Sequence, residues 1–219
     1  MNLPAIIVNF KIYEQATGDA AVELAKTHEK VAKETGSSIG IAVSPLDLQK
    51  VCESVDIPVF AQHIDPVKYG SGTGKILPEQ VKEFGAYGTL LNHAEYQLDS
   101  EVLKVSIGRA KEVGLYTVVC ANTPEAGAKI AEFGPDLIAV EPPELIGGDI
   151  SVSKAEPKII EDTVKLCGED KVLVGAGVKN GEDVKIALAL GAKGVLLASG
   201  VTKAEDPYSI LMDLVGGLS

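Results

Sequence analysis

Tryptophan is absent, and aromatic residues together make up only 5% of the chain. Single-stranded nucleic acid is held on aromatic stacking platforms, so that class of ligand is not expected. A basic excess is missing too: 20 Lys and Arg face 31 Asp and Glu, for a net charge of -11. Such a surface repels a phosphate backbone. A small anionic substrate would need local help from a lysine or from backbone amides. Cysteine is scarce and scattered, at Cys52, Cys120 and Cys167. They form neither a zinc spacing nor a disulfide framework, which points to a reducing cytoplasm. Long apolar runs are lacking as well. The first run is broken at once by Asn9 and Lys11, which suits neither a signal peptide nor a membrane span.

What is present is regular. The 219 residues are 46% hydrophobic, enough to bury a sizeable core in one domain. Short apolar runs alternate with longer amphipathic segments. The runs are 5–8, 38–43, 57–61, 88–91, 115–120, 137–140, 171–174 and 194–198. Helices are expected over about 19–34, after Pro45, after Pro78, and over about 100–113, 124–132, 155–166, 182–190 and 207–215. Eight strand–helix pairs with no break in composition predict an α/β fold of one domain, residues 1–219. Right-handed parallel crossovers close eight such pairs into a (β/α)8 barrel, which leaves no exposed edge. An open doubly wound sheet is the alternative, but neither end run carries the polar or interrupted pattern of an edge strand.

In such barrels the chemistry collects at the carboxyl ends of the strands. Asn9, Phe10 and Lys11 follow the first run, and Asn92-His93-Ala94-Glu95 the fourth. Glu141 ends the sixth. Half removed from water there, it becomes a stronger base. Pro142 and Pro143 stiffen the loop that follows, which is tipped by Leu145 and Ile146 and closes on Gly147 and Gly148. Gly175-Ala176-Gly177 follows the seventh run and Ala198-Ser199-Gly200 the eighth, where backbone amides suit a phosphate. Each piece alone has a plainer account. Lys11 could be a solvated charge, His93 a capping histidine, and the glycines packing residues. Their conjunction on one rim is the stronger signal. Of the other histidines, His28 is expected on the surface of the first helix and His63 in a structural role. Two histidines, His63 and His93, make too thin a case for a metal site.

These segments resemble triosephosphate isomerase. Asn9-Phe10-Lys11 is similar to that family's opening Asn-x-Lys, Asn92-His93-Ala94-Glu95 to its Asn-His-Ser-Glu, and Val140-Glu141-Pro142 to the segment holding its catalytic glutamate. Ala61-Gln62 and Gly72-Thr73-Gly74 are similar to its third strand and subunit-contact loop, and Ile146-Gly147 to its lid tip. Ala94 in place of Ser, a lid without an aromatic residue, Ala176-Gly177 in place of Gly-Ser, and a shorter chain resemble the compact archaeal branch.

The resemblance implies a cytoplasmic isomerase of glycolysis and gluconeogenesis, without cofactor or metal. It would be a homo-oligomer, a tetramer rather than a dimer, with no nucleic acid or membrane as partner. The substrate would be a triose phosphate, interconverted between dihydroxyacetone phosphate and glyceraldehyde 3-phosphate through an enediol. It further implies Glu141 as base, His93 as electrophile, and Lys11 and Asn9 as groups holding the substrate. This family is itself the standard case of a glutamate base beside a neutral histidine, so those two roles come with the likeness. The phosphate is expected on Ile146, Gly147, Gly175, Gly177, Ala198 and Ser199, with Phe10 beside the substrate, under a lid over about 142–152. The other readings of these residues are a catalytically silent barrel that binds a phosphometabolite, or another sugar-phosphate isomerase or epimerase.

Overall fold

The computed structural model describes residues 1–142 and 152–218. Eight parallel strands close into a barrel in sequence order. They are β1 (Ala5–Asn9), β2 (Ser38–Val43), β3 (Val59–Ala61), β4 (Gly88–Leu91), β5 (Tyr116–Ala121), β6 (Leu137–Val140), β7 (Val172–Gly175) and β8 (Gly194–Leu197). Closure is made by β1 and β8, which pair from Ala5 with Gly194 to Val8 with Leu197. Outside the barrel run α1 (Asp19–Thr35), α2 (Leu48–Cys52), α3 (Pro78–Glu83), α4 (Ser100–Glu112) and α5 (Pro124–Ala131). They are followed by α6 (Val152–Ala155), α7 (Pro157–Cys167), α8 (Gly181–Ala189), α9 (Ser199–Thr202) and α10 (Pro207–Gly216).

Local chemistry sets the bounds. Proline opens α3, α5, α7 and α10, where its missing N–H costs no helical bond. Gly36 ends α1 in the left-handed region at φ 70°, its N–H donating to the Ala32 carbonyl at 2.9 Å. The third run is shorter than expected, because Pro58 cannot donate to a ladder; only its carbonyl joins, accepting from the Ile41 N–H at 3.0 Å. The helix expected over about 155–166 is α7, and the short α6 before it is an additional helix. Pro157 disfavours helical backbone at Glu156, so α6 stops at Ala155 and α7 begins anew. The short helix α9 carried no apolar periodicity and was not expected.

Two apolar layers hold the barrel. One lies between strands and helices. The other fills the barrel with Ile7, Ala42, Phe60, Leu90, Val118, Cys120, Leu137, Ala139, Leu173 and Leu196. His28 corrects the surface expectation: it is fully buried on the inner face of α1, its ring 5.3 Å from that of Phe10. Its Nδ1 meets the Leu24 carbonyl at 2.7 Å, and burial pushes its pKa down to about 4. His63 packs edge-on against Tyr96 at 4.7 Å. Among the described residues no helix is long and apolar enough to cross a membrane.

Candidate active site

Alternation along each strand decides which polar residues reach the barrel axis. Ile7, Ala139, Leu173 and Leu196 point inward. Their second neighbours, Asn9, Glu141, Gly175 and Ala198, therefore continue the inward side at the carboxyl rim. Adjacent strands place some of these side by side. Val140 pairs with Val174, so Glu141 comes level with Gly175.

Glu141 is buried, and its N–H continues the ladder to the Ala121 carbonyl at 2.9 Å. Its Oε2 has no hydrogen-bond partner among the described residues. Desolvation raises the pKa of the carboxyl, and His93, the Cys120 thiol and Lys11 pull the other way. Cys120 lies inside the barrel on the neighbouring strand. Burial keeps its thiol protonated and able to donate to that carboxylate.

His93 faces Glu141, with Nε2 3.9 Å from Oε2. Its Nδ1 accepts the Glu95 N–H at 3.1 Å. A ring nitrogen that accepts a backbone N–H carries no proton itself, so the neutral ring holds its proton on Nε2, toward the pocket. Lys11 reaches the same space. Its Nζ lies 2.8 Å from Glu95 Oε1, and its N–H donates to Asn9 Oδ1 at 3.0 Å. Gln62, just past β3, donates from Nε2 to Asn9 Oδ1 at 3.2 Å and to the Lys11 carbonyl at 2.9 Å. Among the described non-glycine residues, Lys11, Asn92 and Ala176 have positive φ, at 50°, 59° and 70°. All three follow strand ends on this rim. Such strained backbone persists where surrounding structure holds it, often beside functional groups.

A pocket of about 540 Å³, part of it open solvent, lies between these groups. Asn9, Lys11, His93 and Glu141 line one side; Ala176, Gly177, Ala198, Ser199 and Gly200 line the other. Lys179 also lines it, and Glu141 is the carboxylate among the described residues of this lining. Tyr13 also lines it, with Lys203 Nζ 4.3 Å over its ring. Neither Tyr13 nor Lys179 sits directly at a strand end, and nothing in their neighbouring sequence marks them. Gln62 does follow a strand end, and inward parity would have singled out Cys120.

Two expected site residues stand elsewhere. Phe10 is not part of the lining; its fully buried ring packs on His28. Gly175 is not part of it either, and lies against the side chain of Glu141. The strand that presents Asn9 and Lys11 to the rim turns the residue between them outward, which is why Phe10 joins the helices. Ile146, Gly147 and nearly all of the lid expectation lie outside the described residues. Among the described residues no group of three or more His, Cys, Asp or Glu is gathered as for a metal ion.

The model of the family described as triosephosphate isomerase matches residues 4–215. The chain is 48% identical over 216 residues to the triosephosphate isomerase of Methanobacterium bryantii, covering 97% of this chain and 96% of that one. It is 47% identical to that of Methanocaldococcus jannaschii, over 96% of this chain and 98% of that one. With the Archaeoglobus fulgidus enzyme identity is 48%, over 96% of both chains. All three organisms are archaea. A family model spanning nearly the whole chain, together with these relatives, shows that the chain belongs to the triosephosphate isomerases, a family of aldose–ketose isomerases.

Proposed function

We propose that the pocket interconverts dihydroxyacetone phosphate and D-glyceraldehyde 3-phosphate by moving one proton between adjacent carbons. Glu141 is the base that takes the proton and returns it to the neighbouring carbon. Its carboxylate suits that task because it is buried, lacks a partner on Oε2 and is pushed up in pKa. An enediol or enediolate forms between the two transfers. His93 presents Nε2–H to the substrate oxygens as charge develops there. Lys11 offsets that charge and holds the anion, and Asn9 hydrogen-bonds a substrate oxygen. Donors placed at developing charge are typically worth about 3 kcal/mol each. The amides of Gly177, Ala198 and Ser199 take the phosphate. Their loops follow β7 and β8, the usual phosphate site of this architecture.

The observation that carries this reading is the position of Glu141 Oε2, unpartnered and 3.9 Å from His93 Nε2 in a pocket that also holds Lys11. The wider reading is a cytoplasmic enzyme of glycolysis and gluconeogenesis, with residues 1–219 forming one domain. It is a homo-oligomer, most readily a tetramer. Ile12, Leu46 and Tyr96 support association, since they are large apolar side chains exposed on loops that follow strand ends. The test is a coupled isomerase assay on the purified protein with each triose phosphate in turn. Turnover in both directions is expected. Phosphate-substrate binding without turnover would leave a silent binding barrel instead.

A further inference from the structure

Several strands and helices of this fold carry a glycine where a Cβ would not fit. At most of them the obstacle is main chain. A Cβ on Gly194 would lie 1.9 Å from the Ala5 carbonyl oxygen, one on Gly88 2.1 Å from that of Tyr116, and one on Gly181 2.3 Å from that of Asp213. These glycines allow two backbones to approach. Gly175 is different. Its hypothetical Cβ would lie 2.2 Å from Cγ, 2.6 Å from Cδ and 2.5 Å from Oε1 of Glu141, the three nearest atoms. The backbone there is ordinary strand, outside the left-handed region, so conformation alone does not call for glycine. The register explains the encounter. Glu141 and Gly175 stand level on adjacent strands, both facing the barrel axis.

We propose that Gly175 is a positioning residue for the isomerisation: its missing side chain is the berth in which Glu141 lies. This rests on the reading of Glu141 as the base. The obstructed atom is Cγ, close to the Glu141 backbone, so a small shift of the carboxylate tip cannot relieve the clash. The whole side chain has to take another χ1, which moves both carboxylate oxygens relative to His93. Cys120, inside the barrel on the neighbouring strand, pulls the pKa of the same carboxyl down against its desolvation. Gly175 thus serves the proton transfer rather than the phosphate, and it stays outside the pocket lining.

The test is Gly175→Ala, measured for kcat, KM and thermal unfolding, alone and combined with Glu141→Ala. A misplaced reacting group commonly costs about 100-fold in rate. That loss is expected in kcat, with little change in KM or in competitive inhibition by inorganic phosphate. The acid limb of the pH–rate profile should move to lower pH, because the displaced carboxylate regains water. The thermal penalty of Gly175→Ala should largely vanish once Glu141 is alanine. A Gly175→Ala protein that folds only with Glu141→Ala beside it would also support the berth. Full kcat in Gly175→Ala, or the same thermal penalty or failure to fold in both backgrounds, would overturn it. Loss of activity in Glu141→Gln would keep the base in place even then, whereas an active Glu141→Gln protein would remove the base and this role with it.

Discussion

His93 Nε2 and Glu141 Oε2 face each other at 3.9 Å, each on a different strand end and neither bonded to the other. The gap itself is too narrow for an atom, but a substrate atom set to one side of the line between them can touch both. The pair is backed by its surroundings: the Glu95 N–H holds the His93 ring, and the Glu141 side chain lies against Gly175.

Glu141→Gln keeps the shape of the side chain and removes its basicity. Turnover should fall by about 10²–10⁴-fold, the usual contribution of a positioned general base, while KM changes little. Steady-state kinetics on the folded variant decide it, and near-normal kcat would remove Glu141 as base.

The same substitution should make the protein more resistant to heat at neutral pH. The folded-state pKa of Glu141 is raised above its ordinary value, chiefly by burial. A group raised in this way contributes its full stability below the ordinary carboxylate pKa and loses it as pH rises through the folded value. Above the ordinary carboxylate pKa the buried carboxyl is therefore a burden on the fold, as strained functional groups often are. Thermal melts of the two proteins should differ most at neutral pH and converge on acidification. A variant that melts lower at neutral pH would contradict this.

Lys11→Ala should damage both binding and rate. The ammonium lines the pocket and, among the described residues, pairs with the largely exposed Glu95, so it can serve the anion in the ground state and as charge develops. Removing such a group typically costs about 3 kcal/mol of transition-state stabilisation. A lower kcat with a higher KM is expected, and an unchanged substrate response would count against its role.

His28 should make the fold acid-sensitive in a defined window. Burial depresses its pKa from 6.5 to about 4. The unfolded chain takes up this proton first, so stability present above pH 6.5 is lost progressively as pH falls toward 4. The full loss amounts to about 3 kcal/mol. Denaturant midpoints of the parent should decline through that window. In His28→Leu, which puts an uncharged apolar side chain against Phe10, the decline should be shallower. Parallel profiles for the two proteins would show that His28 is not the group responsible.

Much of this molecule was legible in the residue order. The short apolar runs and the prolines opening α3, α5, α7 and α10 are local properties, written in hydrophobicity and in a missing N–H. Eight such pairs leave few ways to hide every strand edge. Asn9, Lys11, His93 and Glu141 were recognisable because a polar residue at the end of a buried run is exceptional. Other features come from tertiary contact alone. His28 is polar, yet the inner face of α1 buries it against Phe10. Phe10 neighbours two rim residues, yet parity turns it outward. Gly175 belongs to a glycine-rich stretch that suited a phosphate loop equally well. Only the register of β6 against β7, which sets Glu141 level with it, shows what its empty side-chain position accommodates. Sequence alone determined which residues could do chemistry at the rim. Strand register and barrel closure, which depend on contacts far apart in the chain, decided which of them meet.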